Sequence, residues 1–330
     1  MISICSRNAD GSVSRHNVGV RGWGVETGTS VFRLTDVSQR YERSGKNAVV
    51  IPDLSVPQNK MIALLGRNGS GKTTLTKLLA GIIAPTTGRI ECYGTRLRPS
   101  HIWPSQVVAY MPQSIGVFNS LTGKESLALA ARLRGFRRDA VRKETERVVE
   151  LLECRHLLSR MASSMSGGEL RLLQFAVSLI GDLPIMLLDE PSNHLDAQRR
   201  QRVWEVLAGL RHQGKTVIVV THTPRETSSL FDQVLVMREG RIVSRNTAAE
   251  LARLTRAWIR VEIGPVTADV IQLIQELSTE RKPLSVVAGN ISTTVDRGAL
   301  STLVSRIEDR DITHFVVRSI SIEDIYDAFS

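Results

Sequence analysis

Cysteine is scarce in this sequence. The 330 residues include three, Cys5, Cys92 and Cys154, and no two of them form a CxxC pair. An odd number of widely spaced cysteines excludes a disulfide framework and a thiolate zinc site, and it indicates a reducing compartment. No apolar run approaches the roughly 18 residues that would span a bilayer, and the first 30 residues have no apolar core of a secretory signal. We therefore expect a cytosolic protein.

Aromatic residues are also few, at 5% of the chain, whereas basic residues are in surplus: 43 Lys and Arg against 33 Asp and Glu, a net charge of +10. This surplus suits phosphates, nucleic acid or an anionic membrane surface, and it does not choose among them. The shortage of aromatic side chains counts against binding nucleic acid by base stacking. The length predicts one large domain and a smaller one.

The pattern along the chain predicts three regions. Residues 1–30 have no apolar periodicity and are interpreted as a flexible leader or an over-long start. Residues 31–254 alternate short apolar runs with helical patterns, which predicts an α/β domain with a mostly parallel sheet. A charged helical subdomain is inserted at about 114–165. The candidate buried strands are Met61–Leu65, Val107–Met111, Ile185–Leu188 and Thr216–Val220.

The last region, 255–330, reads as strand, helix, two strands, helix and strand. This β-α-β-β-α-β order predicts a small ferredoxin-like α+β domain, followed by a closing helix from Ile322.

A glycine-rich segment between a predicted strand and a predicted helix carries the strongest chemical signal. Residues 66–73 read GRNGSGKT, which matches GxxxxGK[ST]. Backbone N–H groups of such a loop surround a phosphate, the lysine reaches the β- and γ-phosphates, and the Thr hydroxyl can bind Mg²⁺. The candidate nucleotide-binding residues here are Gly66, Asn68, Gly69, Ser70, Gly71, Lys72, Thr73 and Thr74, with Thr73 also a metal ligand.

Two carboxylates follow the apolar run Ile185–Leu188. The carboxyl ends of strands are where open α/β sheets bind ligands. Asp189 is the candidate Mg²⁺ ligand, and Glu190 is the candidate general base for the attacking water. The loop and the carboxylates thus predict a nucleoside triphosphate and Mg²⁺ as ligands.

Between these two sites, Met165-Ser166-Gly167-Gly168-Glu169 opens a predicted helix. With the phosphate loop before it and the Asp-Glu strand after it, the chain resembles the ATP-binding cassette (ABC) ATPases over about 32–254. The resemblance implies a P-loop NTPase fold of ABC type, in which this signature segment binds the ATP of the opposite subunit in a head-to-tail dimer. The residues concerned are Ser166, Gly167, Gly168 and Glu169. Met165 and Glu169 depart from the LSGGQ consensus, and the Glu169 carboxylate is expected to weaken dimer closure.

The same resemblance assigns further roles. Tyr41 would stack on adenine, Gln113 would sense Mg²⁺ and couple to the membrane partner, and His222 would act as the switch histidine near the γ-phosphate. The run from Asn193 to Asp196 resembles the dimer-crossing loop in the form typical of ABC translation factors, but those proteins carry two cassettes and this chain carries one.

The segment 113–122 and the carboxyl end, 318–329, resemble drug, antibiotic and polysaccharide exporter ATPases of the daunorubicin-resistance type. This implies an ATPase subunit, as a homodimer or heterodimer, bound to an integral-membrane transporter subunit on a separate chain. Its place would be the cytoplasmic face of the inner or plasma membrane. An importer ATPase, a ribosome- or RNA-associated ABC ATPase and a DNA-repair ATPase are the alternatives. We do not expect a nucleic-acid partner.

Overall fold

The computed structural model of the chain describes residues 2–7, 13–18, 30–41, 45–99, 104–114, 119–221, 230–277, 285–287, 289–308, 312 and 314–320. The chain divides into two compact units. The first comprises Met1–His222 and Leu230–Arg245, and the second comprises Thr223–Ser229 and Asn246–Ser330. The division falls at Asn246 rather than at the predicted residue 255. The helix Ala248–Ala257 belongs to the second unit because it runs directly into that unit's first strand, Trp258–Gly264.

The strands of the described chain are β1 (Ile2–Arg7), β2 (Val13–Val18), β3 (Ser30–Arg40), β4 (Asn47–Pro57), β5 (Met61–Leu65), β6 (Thr87–Cys92), β7 (Thr95–Arg96), β8 (Val108–Met111), β9 (Ile185–Asp189), β10 (Thr216–Val220), β11 (Gln233–Arg238), β12 (Arg241–Thr247), β13 (Trp258–Gly264), β14 (Ser285–Val287), β15 (Asn290–Asp296) and β16 (His314–Ser319). The α-helices are α1 (Lys72–Leu79), α2 (Pro104–Val107), α3 (Gly123–Leu133), α4 (Arg138–Leu152), α5 (Gly167–Leu179), α6 (Ala197–His212), α7 (Ala248–Ala257), α8 (Ala268–Leu277) and α9 (Leu300–Glu308).

A six-stranded sheet in the order β12-β11-β5-β10-β9-β8 forms the centre of the first unit. The pairs that join β11, β5, β10, β9 and β8 are all parallel. Every residue of β5, β9 and β10 is buried, as expected for continuous apolar strands covered on both faces. The predicted α/β class and all four predicted strands are confirmed. Val107 differs, since it ends the short helix α2.

A second, antiparallel sheet in the order β4-β3-β6-β7 belongs to the same unit. Its apolar residues share one core with α1 and with β5, β9 and β10. The phosphate loop therefore leads into a helix that is packed into the core of the unit.

Two helices, α3 and α4, occupy the charged stretch that was predicted to be helical. α3 begins with a capping box, in which the Thr122 hydroxyl accepts a hydrogen bond from the Glu125 N–H and the Glu125 carboxylate accepts one from the Thr122 N–H. α5 begins in the same way at Ser166 and Glu169. In both helices the two capping residues are three positions apart, so each helix start is determined by residues that are close in the sequence.

The second unit has the predicted β-α-β-β-α-β order, with an antiparallel sheet β14-β15-β13-β16. Ile259, Val261 and Ile263 of β13 alternate with polar residues and pack with Val270, Leu273 and Ile274 of α8 in a core of their own. The helix predicted from Ile322 lies outside the described residues.

Within the segment predicted to be a flexible leader, the structure describes two strands, β1 and β2. β1 and β2 pair antiparallel, with Ile2 opposite Val18 and Arg7 opposite Val13. The β1 sequence, ISICSR, alternates apolar with polar side chains only over Ile-Ser-Ile, which is shorter than the roughly four to eight residues over which alternation predicts a strand.

Candidate functional site

Three of the predicted site segments, together with the end of β10, meet at one edge of the central sheet. Leu64 of β5 lies opposite Val220 of β10, Val220 lies opposite Asp189 of β9, and Leu188 lies opposite Met111 of β8. The strands are parallel, so their carboxyl ends lead at the same edge into Gly66, Gln113, Glu190 and Thr221. Ligands of open α/β sheets bind at this edge.

The phosphate loop has the backbone conformation that its glycines permit. Gly66, Gly69 and Gly71 have positive φ values of 149°, 81° and 101°. Lys72 is 6% exposed, and its ammonium donates hydrogen bonds to the carbonyls of Gly66 at 2.6 Å and Arg67 at 2.9 Å. The cation is thus held against the loop that would surround a phosphate.

Thr73 and Asp189 meet next to this loop although 116 residues separate them. The Thr73 hydroxyl donates a hydrogen bond to Asp189 Oδ2 at 2.9 Å, and Asp189 is 1% exposed. A hydroxyl and a carboxylate side by side fit Mg²⁺, which binds oxygen ligands and keeps several waters. Among the described residues, no three His, Cys, Asp or Glu side chains are grouped so that they could hold a metal ion.

Glu190 is 3% exposed and has a positive φ of 54°, which is uncommon for a residue with a side chain. Its N–H donates to the carbonyl of Val220 at 2.9 Å, so the end of β10 holds it in place. The strained backbone turns the chain immediately after the last strand residue, Asp189. Strain of this kind is concentrated at functional sites.

The remaining residues predicted to lie near the nucleotide are Tyr41, Gln113 and His222. The hydroxyls of Tyr41 and Thr74 lie 3.3 Å apart, so the predicted adenine-stacking residue, 41% exposed, is next to the phosphate loop. The Gln113 side chain is exposed. His222 lies outside the described residues, as do 115–118 of the segment with the exporter resemblance and 321–329 of the tail.

The signature segment has an exposed start, Ser166 and Gly167, followed by a buried Glu169. The Ser166 N–H donates to the Glu169 carboxylate at 2.9 Å, and Arg160 forms an ion pair with the same carboxylate. The Ser166 N–H is the main cause that lowers the pKa of Glu169 from its ordinary value. A Cβ on Gly168 would come within 2.7 Å of the His194 carbonyl, so Gly168 allows close packing against the turn before α6.

Two functional candidates on α5, Arg171 and Gln174, were not predicted from the sequence. Arg171 is 2% exposed, and its guanidinium donates to the carbonyls of Pro112, Gln113, Asp189 and Glu190. Gln174 donates to the carbonyls of Pro112 and Ser114. The available signal was a pair of polar residues one turn apart in the otherwise apolar run from Leu170 to Phe175.

Comparison with known protein families finds a match to the ABC transporter family over residues 51–193. The chain is 29% identical over 291 residues to a Nod factor export ATP-binding protein of Burkholderia pseudomallei, and the match covers 87% of this chain and 94% of that protein. It is 32% identical over 212 residues to the retinal-specific phospholipid-transporting ATPase of Bos taurus, covering 64% of this chain and 9% of that protein. The chain therefore spans only a small part of such large relatives.

Solved structures with the same fold include a dimeric ATP-binding cassette in a post-hydrolysis state with ADP and phosphate. Its TM-score is 0.62 at 20% identity, over 66% of this chain and 98% of the cassette. The ATP-binding subunit of an ABC transporter also has a TM-score of 0.62, at 23% identity over 68% of this chain and 93% of that one. The expected P-loop fold of ABC type is confirmed.

In the described part of the chain, no helix combines the length and the apolar composition needed to cross a bilayer. The match over 51–193 covers the phosphate loop, the signature segment and the buried carboxylates. Over residues 51–193 the chain is thus similar to the ABC transporter family, it has the fold of solved ATP-binding cassettes, and it is homologous over most of its length to an exporter ATP-binding protein, that for Nod factor.

Proposed function

We propose that this chain is the ATP-hydrolysing subunit of an ABC exporter of the drug, antibiotic or polysaccharide type. It would act as a head-to-tail dimer, with itself or with a second ATPase chain, on a separate membrane subunit at the cytoplasmic face of the inner or plasma membrane. The Nod factor export protein supports this proposal because the similarity extends over 94% of its length, beyond the cassette alone. The RNA-associated alternative is not favoured.

The observation that carries the proposal is the meeting of Thr73, Asp189 and Glu190 at one sheet edge. Thr73 and Asp189 would hold Mg²⁺, which when bound neutralises charge on the phosphates. Lys72 would bind the β- and γ-phosphates, and the backbone N–H groups of the loop would surround them. Tyr41 would stack on adenine.

Glu190 would orient the attacking water and accept its proton. The water oxygen forms a bond to the γ-phosphorus while the bond from that phosphorus to the β–γ bridging oxygen breaks, which leaves ADP and phosphate. We assign Gln113 and His222 to sensing the metal and the γ-phosphate, and Ser166, Gly167, Gly168 and Glu169 to binding the ATP of the opposite subunit.

Glu190→Gln tests the catalytic assignment. The amide retains the size of the side chain but loses the charge and the proton acceptor. We expect ATP hydrolysis to fall by roughly 10²-fold or more, with nucleotide affinity retained because the phosphate loop is unchanged. Turnover and fluorescent-nucleotide titration measure the two effects separately. A variant with near-normal turnover would remove Glu190 from this role.

The shared-site dimer has its own test. Unhydrolysed ATP should hold Glu190→Gln as a dimer in size-exclusion chromatography, with monomer in the absence of nucleotide. Adding Ser166→Arg should abolish the dimer, because a bulky cation at the exposed helix start would block the approach of the opposite subunit's nucleotide. A monomer that hydrolyses ATP at the normal rate would contradict the shared site.

A further inference from the structure

Arg171 is the largest fully buried side chain in the described chain. It lies one turn into α5, the helix that begins at the signature segment, between the apolar residues Leu170 and Leu172. A buried guanidinium must have its hydrogen bonds satisfied, because an unmet donor in the interior is strongly unfavourable. Its partners therefore indicate what the residue holds in place.

One set of partners is the end of β9. Nε donates to the Glu190 carbonyl at 3.1 Å, and Nη2 donates to the same carbonyl at 2.7 Å and to the Asp189 carbonyl. These contacts fix the main chain of both carboxylate residues, at the place where the positive φ of Glu190 turns the chain.

The other set is the segment that follows β8. Nη1 donates to the carbonyls of Pro112 and Gln113, each at 3.0 Å. One guanidinium thus joins the backbone of Gln113 to the backbone of Glu190. A planar group with five N–H donors can bind several carbonyls in fixed directions, whereas a lysine ammonium on a flexible stem cannot reproduce that geometry.

Gln174, one turn further along α5, completes the arrangement. Its side-chain oxygen accepts a hydrogen bond from Arg171 Nη1 at 2.9 Å. This contact orients its amide, which donates to the carbonyls of Pro112 at 3.1 Å and Ser114 at 2.8 Å. The charge of Arg171 is also accommodated: burial lowers its pKa, and the nearby Asp189 and Glu190 act in the opposite direction.

We propose that Arg171, supported by Gln174, is a positioning residue for ATP hydrolysis that holds the backbone of Gln113 and of Glu190 in a fixed relation to each other. It does not contact the nucleotide. This inference rests on the catalytic role proposed for Glu190. Misplacing a reacting group by about 1 Å can reduce a rate by roughly 10²-fold, so the backbone contacts are sufficient to matter.

The test compares Arg171→Lys, Arg171→Met and Gln174→Leu in the full-length chain with Arg147→Met as the matched control. Arg147 also joins helices, since Nη2 binds the Leu179 carbonyl at 2.9 Å and the Glu144 carboxylate at 2.7 Å, but it belongs to α4 and contacts only the far end of α5. We measure kcat, KM for ATP, the Mg²⁺ dependence, fluorescent-nucleotide affinity and Tm.

We expect Arg171→Lys to lower kcat by about tenfold or more, with nucleotide affinity within about threefold of the parent, and Gln174→Leu to give a smaller loss of kcat. Arg147→Met should lower Tm with kcat unchanged. Arg171→Met should lower kcat at least as far as Arg171→Lys; if it fails to fold, the Lys and Leu variants decide.

A kcat for Arg171→Lys within twofold of the parent would overturn the inference. A loss of kcat that is fully explained by a smaller folded fraction, as measured from Tm, would also overturn it, because a purely structural residue would have the same effect. Failure of the proposed function is distinguishable, because in that case the parent chain itself would not hydrolyse ATP or Glu190→Gln would hydrolyse it normally.

Discussion

Gly71 occupies a position at which the backbone leaves no room for a side chain. Its φ is 101°, and a Cβ would lie 2.3 Å from the Ala48 carbonyl oxygen. Gly69, two residues earlier in the same loop, has a similar φ of 81°, but a Cβ there would meet nothing within 4 Å. Substitutions at the two glycines therefore distinguish the effect of backbone strain from the effect of steric collision.

We expect Gly71→Ala to lower the free energy of unfolding by at least about 3 kcal/mol, because strain and collision with the backbone add together. Gly69→Ala should lower it by only about 1 kcal/mol, from the left-handed backbone alone. Urea unfolding of the two variants measures the difference. Equal effects would mean that Ala48 moves to accommodate a side chain at Gly71.

At the scale of the helix, α5 depends on an ionised carboxylate at its start. The Ser166 N–H and Arg160 both bind the Glu169 carboxylate, and the pKa of Glu169 lies below its ordinary value of 4.5. A carboxyl whose pKa is lowered by folding stabilises the fold fully above its ordinary pKa, and this contribution is lost as pH falls through the folded value. The sequence departure at Glu169 is thus neutralised within the chain by Arg160, so the negative charge that we expected to oppose dimer closure is already paired.

Glu169→Gln tests whether the ionised carboxylate at the start of α5 stabilises the fold. At pH 7 the variant should be less stable than the parent, because glutamine can complete the capping box but cannot pair with Arg160. The difference should shrink as pH falls below the ordinary pKa of 4.5, and it should vanish once the carboxyl of the folded parent is protonated. Urea midpoints at pH 7 and at successively lower pH measure it. Glu125→Gln is the control, because Glu125 occupies the same position in the capping box of α3. The pKa of Glu125 is also lowered, mainly by the hydrogen bond from the Thr122 N–H.

At the scale of the whole molecule, two hydrophobic cores among the described residues belong to different units of the chain. One core includes residues of β3, β4, β5 and α1, and the other consists of residues from β13 onward. All the candidate nucleotide-binding residues precede Leu230, and the second core contributes none of them. Nucleotide chemistry is therefore assigned to the first unit, and we propose the second as an accessory domain.

A chain that ends after Thr247 retains β12 and omits everything from α7 onward. We expect it to bind ATP and to hydrolyse it within about threefold of the full chain, because neither the sheet edge nor the phosphate loop is altered. The complementary fragment, 248–330, should unfold cooperatively. Loss of nucleotide binding in the truncated chain, at an unchanged Tm, would show that the second unit contributes to the site.

The sequence alone predicted those features that are determined by contacts between residues close in the chain. The phosphate loop, the helix start at Ser166 and the buried strands all depend on residues within a few positions of one another, so spacing predicted them. The β-α-β-β-α-β order was predictable for the same reason. The resemblance then proposed roles for Tyr41, Gln113 and His222, which stay predictions.

Tertiary structure decided what depends on residues far apart in the chain. Ala48 approaches Gly71 only because β4 packs beside the phosphate loop, and α7 belongs to the second unit because it continues directly into β13. In the sequence, nothing distinguishes Arg171 from other basic residues. In the fold, backbone carbonyls at the ends of β8 and β9 accept five hydrogen bonds from its guanidinium. Helical periodicity predicts which side of α5 is buried, but the partners of a buried polar group depend on the placement of other elements.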